Sequence, residues 1–446
     1  MVVNCKNSQV VTIKKVVNGG YGLASLPDGK TVLVQFGLPG ETATIAIDRQ
    51  HKQLDHARAT AIVAPHRGRI EPPCPFYGRC GGCNLQHANY DTQCRLKHDI
   101  LVDLFARSPV PAISSQASSI APVRGAAQPF GYRQRIRLRI DDRGQVGFHR
   151  FHSHQVVPIN RCLLAHPLIN ESLNRCGGAK PFRMLAGNSE SVEFLLDPRE
   201  SSLCLLFQLR RPPRPADRTA ARQLGEGGGE RTRILLVGRN FAAEGPFGTP
   251  EGAASRLLSM ELPGTPPLML AWEAGGFSQV NNDQNRVLID CVTSLAAIDE
   301  TSRVLDLFCG MGNFSLPLAR RAAHVLGIES QGSAIRSARL NAARNNLDNL
   351  TFRQAAAVDG CRQLVEEAQS FDVIVCDPPR QGMPGLAALL GRLCHDRLIY
   401  VSCDPATLVR DCAELTATGF RVVAIQPIDM FPQTHHIETV VLLEKN

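Results

Sequence analysis

The 446-residue chain reads as a multidomain α/β protein, and three observations predict that class. Residues 9–63 alternate short β-rich runs with Gly-rich turns. A middle region carries segments such as "YRQRIRLRI" and "SLCLLFQLR". From about residue 269 the pattern changes to strand–helix alternation. The length exceeds one ordinary core, so about two to four domains are expected.

In the first region, 1–65, "VVTIKKV", "NGGYG", "KTVLVQFGLPGE" and "TATIAI" supply the strands and turns of a small β-barrel. A helical pattern containing "YDTQCRLKHDILVDLFA" follows at about 89–124, with the C-terminal domain as its candidate packing partner. It belongs to a central domain, 66–268, whose alternating segments predict an antiparallel sheet. Arg133, Arg135, Arg137 and Arg139 recur at every second position and share one strand face. A solvated charged face and a phosphate-tracking face are both open for them. Residues 210–231 are rich in Pro, Gly and Arg, which predicts a flexible loop without chemistry. The last domain, 269–446, repeats apolar runs ("RVLDLF", "HVLGIE", "FDVIVCD", "RLIYVSC", "RVVAIQP", "ETVVLLEK") between helical stretches, the pattern of a doubly wound sheet.

A formal net charge of +8 favours a polyanionic partner, and nucleic acid is the expected class. The N-terminus lacks the apolar core of a secretory signal, and no apolar run is long enough to span a bilayer, so a cytoplasmic protein without membrane contact is expected. In that reducing compartment the fifteen cysteines are buried hydrophobes, metal ligands or nucleophiles rather than disulfides.

"VLDLFCGMGNFSLPLA" (304–319) is a strand ending near Asp306, a turn with Gly310 and Gly312, and a helix; glycines there let a ligand approach the backbone. The spacing is not that of a dinucleotide fingerprint. A second strand ends in Glu329, placed to accept hydrogen bonds from ribose hydroxyls, and a third ends at "CDPPR", where two prolines stiffen the turn bearing Asp377. Together these resemble class I S-adenosylmethionine-dependent methyltransferases. Amino-group methyltransferases place an aromatic after the two prolines. Here Arg380 stands instead, which disfavours methylation at nitrogen.

"VSCDPATLVRD" puts Cys403 at the carboxyl end of another strand of the same sheet. A buried inert thiol is the ordinary fate of such a cysteine. A thiolate beside a methyl donor has a specific use, however, because uracil C5 is not nucleophilic until a nucleophile adds to C6 and a base later removes the C5 proton. Glu438 in "FPQTHHIETVVLL" is the candidate base, with a surface carboxylate as the alternative. His435 and His436 are adjacent on an expected strand, point to opposite faces and are read as structural.

"GGFSQVN" (275–281), "DLFCGMGNFSLPLA", "CDPPRQG", "VSCDPATLVRD" and "HHIETVVLL" resemble, in order, the RNA uracil-5-methyltransferase family. The resemblance implies Cys403 as nucleophile and Glu438 as proton acceptor. It also implies Gln279, Phe308, Asn313 and Glu329 as contacts to S-adenosylmethionine, Asp377 beside cofactor or uracil, and Phe277 as a stacking platform for a flipped base. The family often has a polar side chain where Ala356 stands, so an adenine-side contact is in doubt there.

"PPCPFYGRCGGCNLQH" places Cys74, Cys80 and Cys83 close together, and Cys162 follows far downstream. Zinc sites usually pair two knuckles, so this spacing favours an iron–sulfur cluster over zinc, with buried cysteines as the bland alternative. Bacterial 23S rRNA members of the family share the arrangement, which implies a [4Fe–4S] cluster. The segment "NGGYGLASLPDGKTVLVQFGLPGE" resembles a TRAM domain, an OB-like RNA-binding barrel. Barrel, cluster and methyltransferase together imply 23S rRNA as substrate, acted on by a monomer without an obligatory protein partner. On this reading the tRNA-specific relatives lack the barrel and cluster. An iron–sulfur RNA-binding protein with an inactive methyltransferase fold is the alternative of another class. A cytosine-5-methyltransferase would show a Pro-Cys nucleophile loop, which "VSCDP" is not.

Overall fold

The computed structural model describes residues 8–228, 232–248 and 256–446. Residues 8–64 form a six-stranded sheet. Its strands alternate buried and half-buried positions, as in Thr31–Gln35 and Tyr21–Ser25, so one face closes over Val32, Val34, Ala43 and Ile45.

The central region is a seven-stranded sheet, and it departs from the expected antiparallel pattern at one pair: Ser202–Leu209 runs parallel to Thr232–Gly238. A parallel pair needs a crossover, and the crossover is a helix, Pro215–Gly227, where the composition predicts a loop. Pro215 occupies the first helical turn, where its missing N–H costs nothing, and the Asp217 carboxylate accepts the Arg214 N–H at 2.6 Å. Ala220, Ala221 and Leu224 then bury one face.

The row of arginines is also divided. The strand Arg135–Ile140 begins after Arg133; Arg135 and Arg137 both pair with the buried Glu193 carboxylate of the neighbouring strand. A continuous four-arginine phosphate face is therefore not formed.

The C-terminal sheet contains β1 (Arg303–Leu307), β2 (His324–Glu329), β3 (Leu350–Gln354), β4 (Phe371–Cys376), β5 (Cys394–Ser402), β6 (Phe420–Ile428) and β7 (Glu438–Lys445). Their order is β3-β2-β1-β4-β5-β7-β6, with β7 antiparallel to both neighbours. The central strands are nearly continuous apolar runs because helices cover both faces. Leu288, Ile289 and Val292 of the helix Asn282–Ala296 pack in one core cluster, while Leu364, Leu390 and Leu408 pack in the other. Leu101 and Phe105 of the helix Tyr90–Ala106 join that second cluster. A hairpin, Leu257–Leu262 with Leu268–Glu273, lies against the helix Gly332–Arg344; the Asn341 amide donates to the Ala271 carbonyl at 2.9 Å and accepts its N–H at 2.8 Å.

Candidate active site

Strand order reverses between β1 and β4, and a crevice at the carboxyl ends of the strands is the usual ligand position in such a sheet. Register brings the predicted residues there. Leu307 pairs with Ile328 on one side and with Cys376 on the other, so the next residues along, Glu329, Phe308 and Asp377, continue one row across three strands. Ser402 pairs antiparallel with Thr439, which sets Cys403 opposite Glu438. An antiparallel last strand is what lets its first residue face the end of β5.

The turn after β1 is built for close approach. Phe308 has φ 61°, a left-handed conformation costly for a non-glycine residue, and Gly310 and Gly312 also have positive φ. A Cβ on Gly310 would meet nothing within 4 Å, so that face of the turn opens onto free space. The Glu329 carboxylate accepts the Gly310 N–H at 3.3 Å and the Gln331 N–H at 2.8 Å. Asn313 is fixed by an amide pair with the fully buried Asn285, at 2.9 and 3.0 Å. Asn285 carries no motif and was not legible in the sequence. Ala356 caps the helix Ala357–Glu366 without a side-chain hydrogen bond and is exposed. An open glycine turn beside an acceptor carboxylate fits a nucleoside ligand such as S-adenosylmethionine.

Phe277 is 72% exposed, an unusual position for a large aromatic and a suitable one for a stacking surface. Its segment is anchored beneath it: Arg135 donates to the Gly276 carbonyl at 2.6 Å, and the Asn281 amide donates to the Met430 carbonyl at 3.2 Å. Gln279, two residues on, is half-buried.

Burial pushes the Cys403 thiol up to about 11, and the negative charges of Glu438 and Asp377 add to the shift; the Arg380 guanidinium opposes it. Arg380 thus stands in the field of the nucleophile, a role that the sequence pattern registered only as a missing aromatic. Burial also raises Glu438, with the Asp377 charge second, and burial raises Asp377. The site therefore holds a protonated thiol beside two carboxyls made more basic by desolvation. Below its pKa the thiolate fraction rises about tenfold per pH unit, so alkylation of Cys403 in RNA-free protein, followed by peptide mapping, is expected to rise steeply between about pH 7 and 9. Arg380→Gln should slow it at every pH. A flat profile would refute this electrostatic picture.

The cysteines divide by exposure. Of the fourteen described, eight are buried; the six that are not are Cys74, Cys80, Cys83, Cys94, Cys162 and Cys403. Cys74, Cys80, Cys83 and Cys162 line one pocket with Arg133, and the Gly82 N–H points at the Cys80 sulfur at 3.4 Å. The expected metal centre is nevertheless not shown: among the described residues no three His, Cys, Asp or Glu side chains are grouped so as to hold a metal ion.

His435 and His436 also differ from expectation. They precede β7 rather than lie on a strand, and their rings face each other at 4.2 Å. Among the described residues no helix is long and apolar enough to cross a membrane.

The family model "tRNA (Uracil-5-)-methyltransferase" matches residues 268–446. An Alkalilimnicola ehrlichii protein named 23S rRNA (uracil(1939)-C(5))-methyltransferase RlmD is 33% identical over 98% of this chain and 96% of its own. A Thermotoga maritima protein named as an uncharacterized RNA methyltransferase is 32% identical over 98% of both chains. Among solved structures, the Pyrococcus abyssi tRNA (uracil-54, C5)-methyltransferase in complex with S-adenosyl-L-homocysteine is similar, with TM-score 0.71 and 25% identity over 97% of this chain and 99% of its own. That archaeal tRNA enzyme aligns along nearly the whole chain, so whole-chain architecture does not separate rRNA from tRNA enzymes as the sequence reading expected. With the relatives matched from end to end and a cysteine facing a carboxylate beside an open glycine turn, the chain belongs to the RNA uracil-5-methyltransferase family.

Proposed function

We propose that this protein is a cytoplasmic, monomeric enzyme that methylates C5 of a uridine in 23S rRNA. The observation that carries the reading is the register placing Cys403 opposite Glu438, next to Asp377. Cys403 adds through sulfur to uracil C6, which makes C5 a nucleophile. S-adenosylmethionine supplies the electrophilic methyl group. Glu438 then takes the C5 proton; the C5–H electron pair forms the C5=C6 double bond and expels the Cys403 thiolate. A desolvated carboxylate is a stronger base than an exposed one, which suits Glu438 to this step. On this reading Gln279, Phe308, Asn313 and Glu329 hold the methyl donor, Asp377 lies beside donor or uracil, and Phe277 stacks on the extruded base.

Cys74, Cys80, Cys83 and Cys162 would hold a [4Fe–4S] cluster with a structural role. What supports this reading is that the four cysteines line one pocket and that their spacing lacks the paired knuckles usual for zinc. Cys162→Ser should lower the iron content of anaerobically purified protein, and an unchanged iron content would count against this ligand set.

Identity with relatives named for 23S rRNA favours that substrate, while the structural likeness to a tRNA enzyme favours tRNA as the second reading. Incubation with methyl-labelled S-adenosylmethionine and separate unmodified 23S rRNA and tRNA transcripts, then nucleoside analysis, tests both. Label in 5-methyluridine from 23S rRNA alone is expected. Label from tRNA alone would overturn the substrate, and no label in either would overturn the reaction.

A further inference from the structure

Glu438 opens β7, but the segment that delivers it, residues 429–437, is held largely by the first third of the chain. Ile437, 1% exposed, packs among Leu85, Leu96 and Ile100 rather than in the core of its own sheet. Gln433 has φ 70°, a conformation that persists only where the surroundings fix it. They do: its N–H donates to Gln93 Oε1 at 3.0 Å, its Oε1 accepts from Gln93 Nε2 at 2.9 Å, and its carbonyl accepts the Asn84 and Leu85 N–H groups at 3.2 and 3.1 Å. Lys97 and Asp429, both fully buried, pair at 2.6 Å, and the same ammonium donates to the Phe431 carbonyl at 3.1 Å.

Asn84 is where three parts of the molecule meet. It directly follows Cys83. Its Oδ1 accepts the His435 N–H at 2.9 Å, and its Nδ2 donates to the Gly19 carbonyl at 3.2 Å and lies 2.9 Å from His435 Nδ1. Gly20, at φ 78°, closes the turn over this contact: a Cβ there would lie 2.6 Å from Asn84 Nδ2 and 2.9 Å from the His435 Cβ. One amide thus joins the Gly19–Gly20 turn of the N-terminal sheet, the cysteine loop and the segment leading to the carboxylate.

We infer that Asn84 and Gln93 are positioning residues for proton removal at C5, acting through residues 433–437 on Glu438. The inference rests on the assignment of Glu438 as the base. Cys403 reaches the site on a different strand, and the helix that follows it, Pro405–Thr416, packs on the helix bearing Gln93 through Leu101 and Phe105 but makes no hydrogen bond to Asn84, Gln93 or residues 433–437 among the described residues. Loosening the segment should therefore leave adduct formation and methyl transfer intact and slow only the step in which the C5–H bond breaks and the thiolate departs.

The test compares full-length Asn84→Ala, Gln93→Ala and Glu438→Gln proteins in reactions stopped by denaturation, scoring RNA that stays covalently attached and whether that RNA carries the methyl group. A control, Asn349→Ala, loses hydrogen bonds to the Ala319 and Ala322 carbonyls, remote from the segment. In the Asn84 and Gln93 variants turnover is expected to fall on the order of tenfold to a hundredfold, the effect of a misplaced catalytic group, with methylated adduct accumulating and first-turnover methyl transfer unchanged. Asn349→Ala should lower thermal stability without accumulating adduct. Reduced turnover without adduct in the Asn84 and Gln93 variants, or equal adduct in the control, would overturn the inference. Absence of adduct in Glu438→Gln would instead overturn the assignment of the base, and the positioning argument with it.

Discussion

Replacing Cys403 by alanine is expected to abolish turnover, with a loss of at least about 10⁴-fold, while binding of methyl donor and RNA persists. The magnitude follows from the acceptor. Uracil C5 has no nucleophilic lone pair, and without addition at C6 nothing else in the site makes one. Asp377 and Glu438 cannot substitute, because a carboxylate oxygen is a far weaker nucleophile toward carbon than a thiolate. Cys403→Ser should be nearly as inactive, since a hydroxyl beside two carboxyls is far less ionised than a thiol. The check is a single-turnover assay together with equilibrium binding of S-adenosylmethionine. Retained binding with no 5-methyluridine is the expected pattern; methylation at more than a few per cent of the wild-type rate would mean that another group activates the ring.

How much of this was legible in the sequence depended on the range of the interaction. Glu329, Phe308 and Asp377 sit at ends of strands whose apolar runs are plain, so their convergence followed from parallel pairing alone. Cys403 and Glu438 needed one fact more, that β7 runs antiparallel, which the pattern does not encode. The helix Pro215–Gly227 was missed because Pro, Gly and Arg dominate its segment by count; its signal was positional, with Pro215 and Asp217 in the first turn and Ala220, Ala221 and Leu224 at helical spacing. Asn84 and His435 are 351 residues apart, and an asparagine in a turn has many local uses, so no sequence argument could pair them. Lys97 likewise reads as a solvated position of an amphipathic helix until its partner Asp429 is in place. The row of arginines failed for a similar reason: alternation located the strand, but only pairing with the neighbouring strand revealed that Glu193 occupies two of them.

Glu438→Gln keeps the shape of the side chain and removes its ability to take a proton, so it separates the two halves of the reaction. Addition of Cys403 and methyl transfer should proceed once, and the methylated uridine should then stay attached through the C6–S bond, with steady-state turnover lower by about 10²–10⁴-fold. The same change has a second signature at the nucleophile. Glu438 is one of the charges that push the Cys403 thiol up, so its neutral replacement should move Cys403 alkylation to lower pH, although the thiol itself is untouched. Stability gives a third. Folding raises the Glu438 carboxyl above its unfolded value, so the protonated form favours the fold at low pH, and stability is lost as pH climbs through the window between the two values. Glutamine does not titrate, and the variant should therefore gain on the wild type as pH rises through that window in a series of denaturant titrations. Trapped methylated RNA, easier alkylation of Cys403 and a stability advantage that grows with pH are three readings of one buried carboxylate. A variant that turns over normally, or that traps unmethylated RNA, would place the proton acceptor elsewhere.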